Sequence, residues 1–122
     1  MQKTLQVSDK KYQNKALFQA TLRDFQIGLH EIYGEKQPEI VLYGSYARDE
    51  ARADSDIDIL LLFAEAIQPG KELTRLSYLL ADLNLRYEVL VSVVPATKTQ
   101  FQRADGPFWK NVRQEGIPID VA

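Results

Sequence analysis

The 122-residue chain has no cysteine. That excludes disulfides, a thiol nucleophile and zinc–thiolate coordination. Its only histidine, His30, has no companion ligand near it in sequence and reads as a surface or helix-end residue. No apolar run reaches the roughly eighteen residues a membrane span needs. Met1 to Leu5 carries no apolar signal region, so a cytoplasmic address is the expectation. A basic excess is also missing. The formal net charge is −2, and Lys10, Lys11 and Lys15 are scattered along a polar N-terminal arm. A protein that tracks a nucleic-acid backbone shows a basic face, so nucleic acid is not an expected partner. Internal repeats, low-complexity segments and domain boundaries are absent too. What remains is ordinary globular composition, 45% hydrophobic and 26% charged. It is enough for one core, read as one domain over residues 1–122 with residues 1–10 loose.

Two short stretches carry chemical information. The first is Gly44-Ser45-Tyr46-Ala47-Arg48, preceded by the β-branched, apolar run Glu39 to Tyr43 that lies between Pro38 and Gly44. A strand ending on glycine can turn tightly or let a ligand approach its backbone. Ser45 is a suitable N-cap for a short helix over residues 46–51, whose first N–H groups would be unpaired. Such a place suits a phosphate, and Arg48 could add a bidentate contact to the same anion.

The second stretch, Ser55 to Phe63, reads as a buried strand that opens with Asp56-Ile57-Asp58. Alternation puts Asp56 and Asp58 on one face, with Ile57 and Ile59 turned into the core. Two carboxylates this close repel one another. A hard divalent cation between them removes that cost, and Mg²⁺ takes carboxylate oxygen together with substrate phosphate. Taken singly, a Gly-Ser turn is mostly only a turn, and an Asp-x-Asp at a strand edge is mostly solvated. In this order, on a strand–helix–strand frame, the two read as metal-assisted nucleotidyl transfer. Ser55 either orients Asp56 or ends the preceding turn, and Arg52 reads as a surface partner of Asp54.

The rest of the chain supplies the frame. Phe18, Leu22, Phe25, Leu29 and Ile32 recur at helical spacing and predict a helix over residues 11–34, stopped by Gly34. Pro69-Gly70 marks a turn before a helix over residues 71–85, with Leu76, Leu79, Leu80 and Leu83 as its buried stripe. Residues 87–94 read as a third strand with Glu88, Leu90 and Ser92 on one face. Thr97 is a plausible N-cap for a helix over residues 98–103. Pro107 opens a last helix that ends at Gly116, in which Phe108 and Trp109 read as core or, alternatively, as a partner surface. Residues 117–122 could add an edge strand. The expected fold is α/β: a small mixed sheet of three or four strands with helices on its faces.

Gly44-Ser45-Tyr46-Ala47-Arg48 together with Ser55-Asp56-Ile57-Asp58-Ile59-Leu60 resembles the signature of the minimal nucleotidyltransferases, within the DNA polymerase β-like superfamily. Ala51 to Asp54 and the PFWKNVRQEG run are similar to that family as well, so the likeness spans about residues 40–116. One departure follows Arg48, where the family usually has Gly and this chain has Asp49, adding negative charge near the phosphate site. The resemblance implies a polymerase β-like palm, Mg²⁺, and a nucleoside triphosphate, ATP for preference. It implies Gly44, Ser45 and Arg48 at the phosphates and Asp56 and Asp58 on metal. The family often adds a third carboxylate from the third strand as base or metal ligand. The acidic candidate is Glu88, although the matching position could instead be Leu90. The resemblance further implies pairing with a HEPN-type toxin, whose tyrosine receives AMP, in a homo- or hetero-oligomer. Two other readings stand beside this one: a degenerate module that neutralises a partner by contact, and a small-molecule nucleotidyltransferase of the aminoglycoside type.

Overall fold

The computed structural model describes residues 10–119. Helix α1 (Lys10–Tyr33) runs through a single 3₁₀ turn at Gly34–Lys36 into β1 (Glu39–Tyr43). A long turn leads to β2 (Ile57–Phe63), then α2 (Pro69–Tyr87), β3 (Val91–Thr97), α3 (Lys98–Arg103), α4 (Pro107–Glu115) and β4 (Ile117–Ile119). Lys10, Lys11 and Lys15, expected on an N-terminal arm, belong to the first turns of α1. The expected edge strand is present as β4, and residues 120–122 lie outside the described residues, as do residues 1–9.

The four strands lie in the order β3-β2-β1-β4. β1 pairs antiparallel with both β2 and β4, whereas β2 and β3 are parallel, joined by the α2 crossover. β2 is central and covered on both faces, which is why Ile59 through Phe63 are buried without a polar interruption. On one face Ile57, Ile59, Leu61 and Phe63 pack with Phe25 and Leu29 of α1 and Leu76 and Leu83 of α2. Each such fully buried side chain contributes on the order of 1.5–3 kcal/mol. Gly28 lets the helices meet closely, since a Cβ there would overlap Leu79. Arg86 also ties them, pairing with Asp24 of α1 and Asp82 of α2. On the opposite face Val41, Leu60, Leu62 and Ala96 pack with Val112 of α4, with Tyr43, Phe101 and Trp109 at the margin.

The helix stripes therefore lie where the spacing predicts them. Thr97 caps α3 in a full capping box: its hydroxyl accepts from Gln100 N–H at 3.0 Å. Trp109 is partly buried in the second cluster, and Phe108 stays 39% exposed while packing edge-on to Tyr43 and Trp109. Among the described residues no helix is long and apolar enough to cross a membrane.

The strand expected over residues 87–94 is displaced. Helix α2 continues through Tyr87, whose hydroxyl donates to Asp24, and Glu88 closes it in the left-handed conformation at φ 54. β3 begins three residues later and runs through Pro95 to Thr97, past the expected end at residue 94. Proline is tolerated because β3 is an edge strand, with no neighbour among the described residues on its outer side to receive an N–H.

Candidate active site

Strand β1 delivers the chain to Gly44, which takes φ +76. Only glycine enters that region without steric cost. From there Arg48 N–H donates to the Gly44 carbonyl at 3.1 Å and Glu50 N–H to the Ser45 carbonyl at 2.8 Å. These bonds fold residues 44–49 into consecutive turns, and the helix expected over residues 46–51 does not form. Ser45 thus has no helix to cap. Asp49 ends the turn in the left-handed region at φ 57. A side chain is strained there, so Asp49→Gly should stabilise the fold by about 0.5–1 kcal/mol, read as a raised urea midpoint with unchanged slope. An unchanged or lowered midpoint would show that the Asp49 side chain compensates for its strain.

The same turn meets the carboxylate pair. Asp58 lies opposite Tyr43 in the β1–β2 register and beside Ser92 in the β2–β3 register. It shares a face with Leu60 and Leu62, so it looks toward the α3–α4 side of the sheet. Its carboxylate rests against Gly44: a Cβ on that glycine would overlap Asp58 Oδ2. Asp56 precedes the strand instead of opening it, and is exposed where Asp58 is half-buried. Ser55 Oγ accepts from Arg52 N–H at 2.7 Å, so its hydroxyl closes the turn.

Charge is unevenly balanced here. Burial pushes the Asp58 carboxyl above its ordinary value, and the neighbouring charge of Asp56 pushes it further; Arg48 opposes and Glu115 adds to the rise. Tyr43 is raised too, by burial and then by the charge of Asp58. Arg48 is held protonated by its hydrogen bonds to Glu50 and Glu115. The turn thus carries one cation against several carboxylates, an arrangement that a bound cation would relieve.

Glu88 is not part of this arrangement. It was expected on the third strand facing Asp58, but as the exposed cap of α2 it lies off the sheet, and Ser92 takes the place beside Asp58. Leu90, the other position weighed, uses its carbonyl to accept from Ile57 N–H at 2.9 Å. Among the described residues no three His, Asp or Glu side chains stand close enough together to hold a metal ion. Asp56 and Asp58 fit Mg²⁺ only as a pair, with the remaining ligands coming from phosphate and water, which is how that ion is commonly held.

Glu115 is the residue that sequence reasoning missed. It ends α4, and its Oε1 accepts from Gly44 N–H at 3.1 Å while Arg48 Nη1 reaches both its oxygens at 3.3 Å. The one hint in the sequence is an acid in the last turn of a helix, where the helix dipole disfavours it.

Comparison with known proteins identifies the family. A Methanocaldococcus jannaschii protein provisionally named protein adenylyltransferase is 30% identical over 78 residues, 64% of this chain and 78% of its own. The protein adenylyltransferase MntA of Thermococcus cleftensis is 41% identical over 63 residues, 52% of this chain and 62% of its own. A Sulfolobus solfataricus crystal structure ascribed to a nucleotidyltransferase superposes with TM-score 0.56 at 14% identity, over 93% of this chain and 90% of that one. A toxin–antitoxin crystal structure with AMP-PNP superposes with TM-score 0.53 at 23% identity, over 78% of this chain and 70% of that one. These two share the fold. The nucleotidyltransferase domain profile matches residues 28–119, from the last two turns of α1 to the end of β4. The chain is therefore a transferase of the nucleotidyltransferase domain family, as its likeness to the minimal nucleotidyltransferases implied.

Proposed function

We propose that this protein transfers AMP from ATP to a tyrosine hydroxyl of a HEPN-type partner, as the antitoxin of a toxin–antitoxin pair in the cytoplasm. The observation that carries the reading is the seating of the Asp58 carboxylate against the Gly44 turn, which brings the two motifs into one place. The names of the relatives support protein adenylylation, and the toxin–antitoxin neighbour supports a protein partner and an adenine nucleotide.

In this reading one nucleotidyltransferase domain forms the protein. The Gly44 N–H, Ser45 and Arg48 bind oxygens of the triphosphate, giving it a fixed direction along the turn. Asp56 and Asp58 hold Mg²⁺, which supplies charge neutralisation at the reacting phosphate and the pyrophosphate leaving group. The acceptor oxygen forms a bond to the α-phosphorus as the bond to the β-phosphate bridge breaks, and pyrophosphate leaves. Glu88, off the sheet, is not assigned the base, and the acceptor proton goes to solvent. The protein's contribution is positioning and electrostatics.

Incubation with α-labelled ATP and Mg²⁺, with and without a co-purified partner, tests the proposal. Label on a partner tyrosine, lost in Asp56→Asn, is the expected result. One observation favours a second reading: β3 offers Ser92 where a third carboxylate would stand. If the partner is held but stays unlabelled, and Asp56→Asn still neutralises it, the protein is a binding module on this fold.

A further inference from the structure

Glu115 already sits in the place that the proposed function gives to a phosphate. Gly44 N–H and Arg48 Nη1, two of the three groups assigned to the triphosphate, both point at its carboxylate. A carboxylate and a phosphate present the same feature to such donors, a pair of anionic oxygens. Both cannot use one backbone N–H at once. Arg48 has a second carboxylate partner, Glu50, which its Nε reaches at 2.7 Å. Glu50 is 65% exposed and makes no contact with Gly44 among the hydrogen bonds of this turn, whereas Glu115 is 26% exposed and bonds to both donors. The two acids thus differ in kind: one accompanies the arginine in solvent, the other fills the seat.

We infer that Glu115 is a built-in competitor for the phosphate seat, and that nucleotide binds only as its side chain swings out. The inference rests on the phosphate-binding role proposed for Gly44 and Arg48. The backbone beneath Glu115 is fixed. A Cβ on the next residue, Gly116, would overlap the Val112 carbonyl and Val41, and Ile117 is paired with Leu42 of β1. The end of α4 therefore has no room to withdraw, and displacement falls to the flexible glutamate side chain. Its departure also takes a negative charge away from Asp58, clearing the surroundings into which a triphosphate and its metal must come. Occupancy of the seat by Glu115 keeps the Gly44 turn and Arg48 aligned in the empty enzyme, at the cost of affinity.

The test is titration of the full-length protein with AMP-PNP in the presence of Mg²⁺, and with inorganic tripolyphosphate as a second probe. Glu115→Gln keeps the shape and removes the charge. It should tighten both ligands by about tenfold, the scale of a partly exposed ion pair plus one hydrogen bond. Glu50→Gln removes the same charge from the same arginine and should change affinity by less than about twofold. Several results would overturn the inference. Weaker binding by Glu115→Gln, with wild type binding normally, would make Glu115 a positioning residue for the turn and leave the proposed function standing. Equal tightening by the two variants would reduce the effect to bulk charge. No binding by wild type or either variant would remove the phosphate site itself, and the inference with it. Thermal unfolding of each variant checks that the fold is intact, and Glu115→Asp, which keeps the charge on a shorter stem, provides a fallback with intermediate affinity expected.

Discussion

Asp58→Asn should lower nucleotidyl transfer on the order of a thousandfold, the scale on which a reaction depends on its charge-stabilising groups. The same substitution should make the metal-free protein more stable. The sign follows from the raised carboxyl of Asp58, whose first cause is burial and second the charge of Asp56. A folded state that holds this proton more tightly than the unfolded chain loses stability as pH rises above the ordinary value of 3.8 and through the raised folded value. Above that folded value the cost is present in full. Asparagine removes it, and a melting temperature above that of wild type is expected. The gain should shrink as pH is lowered and wild type recovers its proton. Mg²⁺ should reverse the order, stabilising wild type and leaving the variant unmoved, because ligands stabilise only the state that binds them. Calorimetric melting curves of both proteins at two pH values, with and without Mg²⁺, check every part of this. If Asp58→Asn melts below wild type at pH 7 without metal, the carboxylate is a structural element and the pair is not poised for a cation.

Much of the fold around this site was legible in the sequence because its parts are local. β1 is bounded by Pro38 and Gly44, and the structure starts and ends it between them. The α1 stripe and the α2 leucines follow a 3.6-residue period that tertiary packing did not override. The misses are places where a side-chain contact or a distant residue decides. Asp56 falls outside β2 because Ser55 turns back on Arg52, a hydroxyl contact that strand propensity does not contain. The beginning of β3 was misplaced because α2 gains a further turn from Tyr87, which is tied to Asp24 on another helix 63 residues away. Glu88 lost its expected place by the same shift. Glu115 meets Gly44 across 71 residues, and nothing in its own neighbourhood announces that. The Asp49 departure from the family's glycine was visible as a charge; the structure adds that Asp49 keeps the left-handed backbone that favours glycine.

Gly44→Ala should damage the protein in a way that Asp58→Asn does not, losing stability and activity together. Two separate costs meet at this position. A side chain at φ +76 is strained by about 1–2 kcal/mol. The new Cβ would also overlap Asp58 Oδ2, so the carboxylate must move or the turn must open. Overpacking of this kind costs about 1–3 kcal/mol, and a total near 3 kcal/mol is expected from denaturant unfolding. Either relaxation separates the turn from the carboxylate pair, so activity should fall at least a hundredfold, roughly the penalty for misplacing reacting groups by an ångström. The two costs can be told apart. On an Asp58→Ala background the overlapping carboxylate is gone and the strain remains with one tight Cβ contact, so Gly44→Ala should then cost about 1–2 kcal/mol. A double-mutant cycle therefore measures the contact between the motifs directly. If the two substitutions are additive, the glycine serves the backbone alone, and the close approach of Asp58 to the turn has no energetic part in holding the site together.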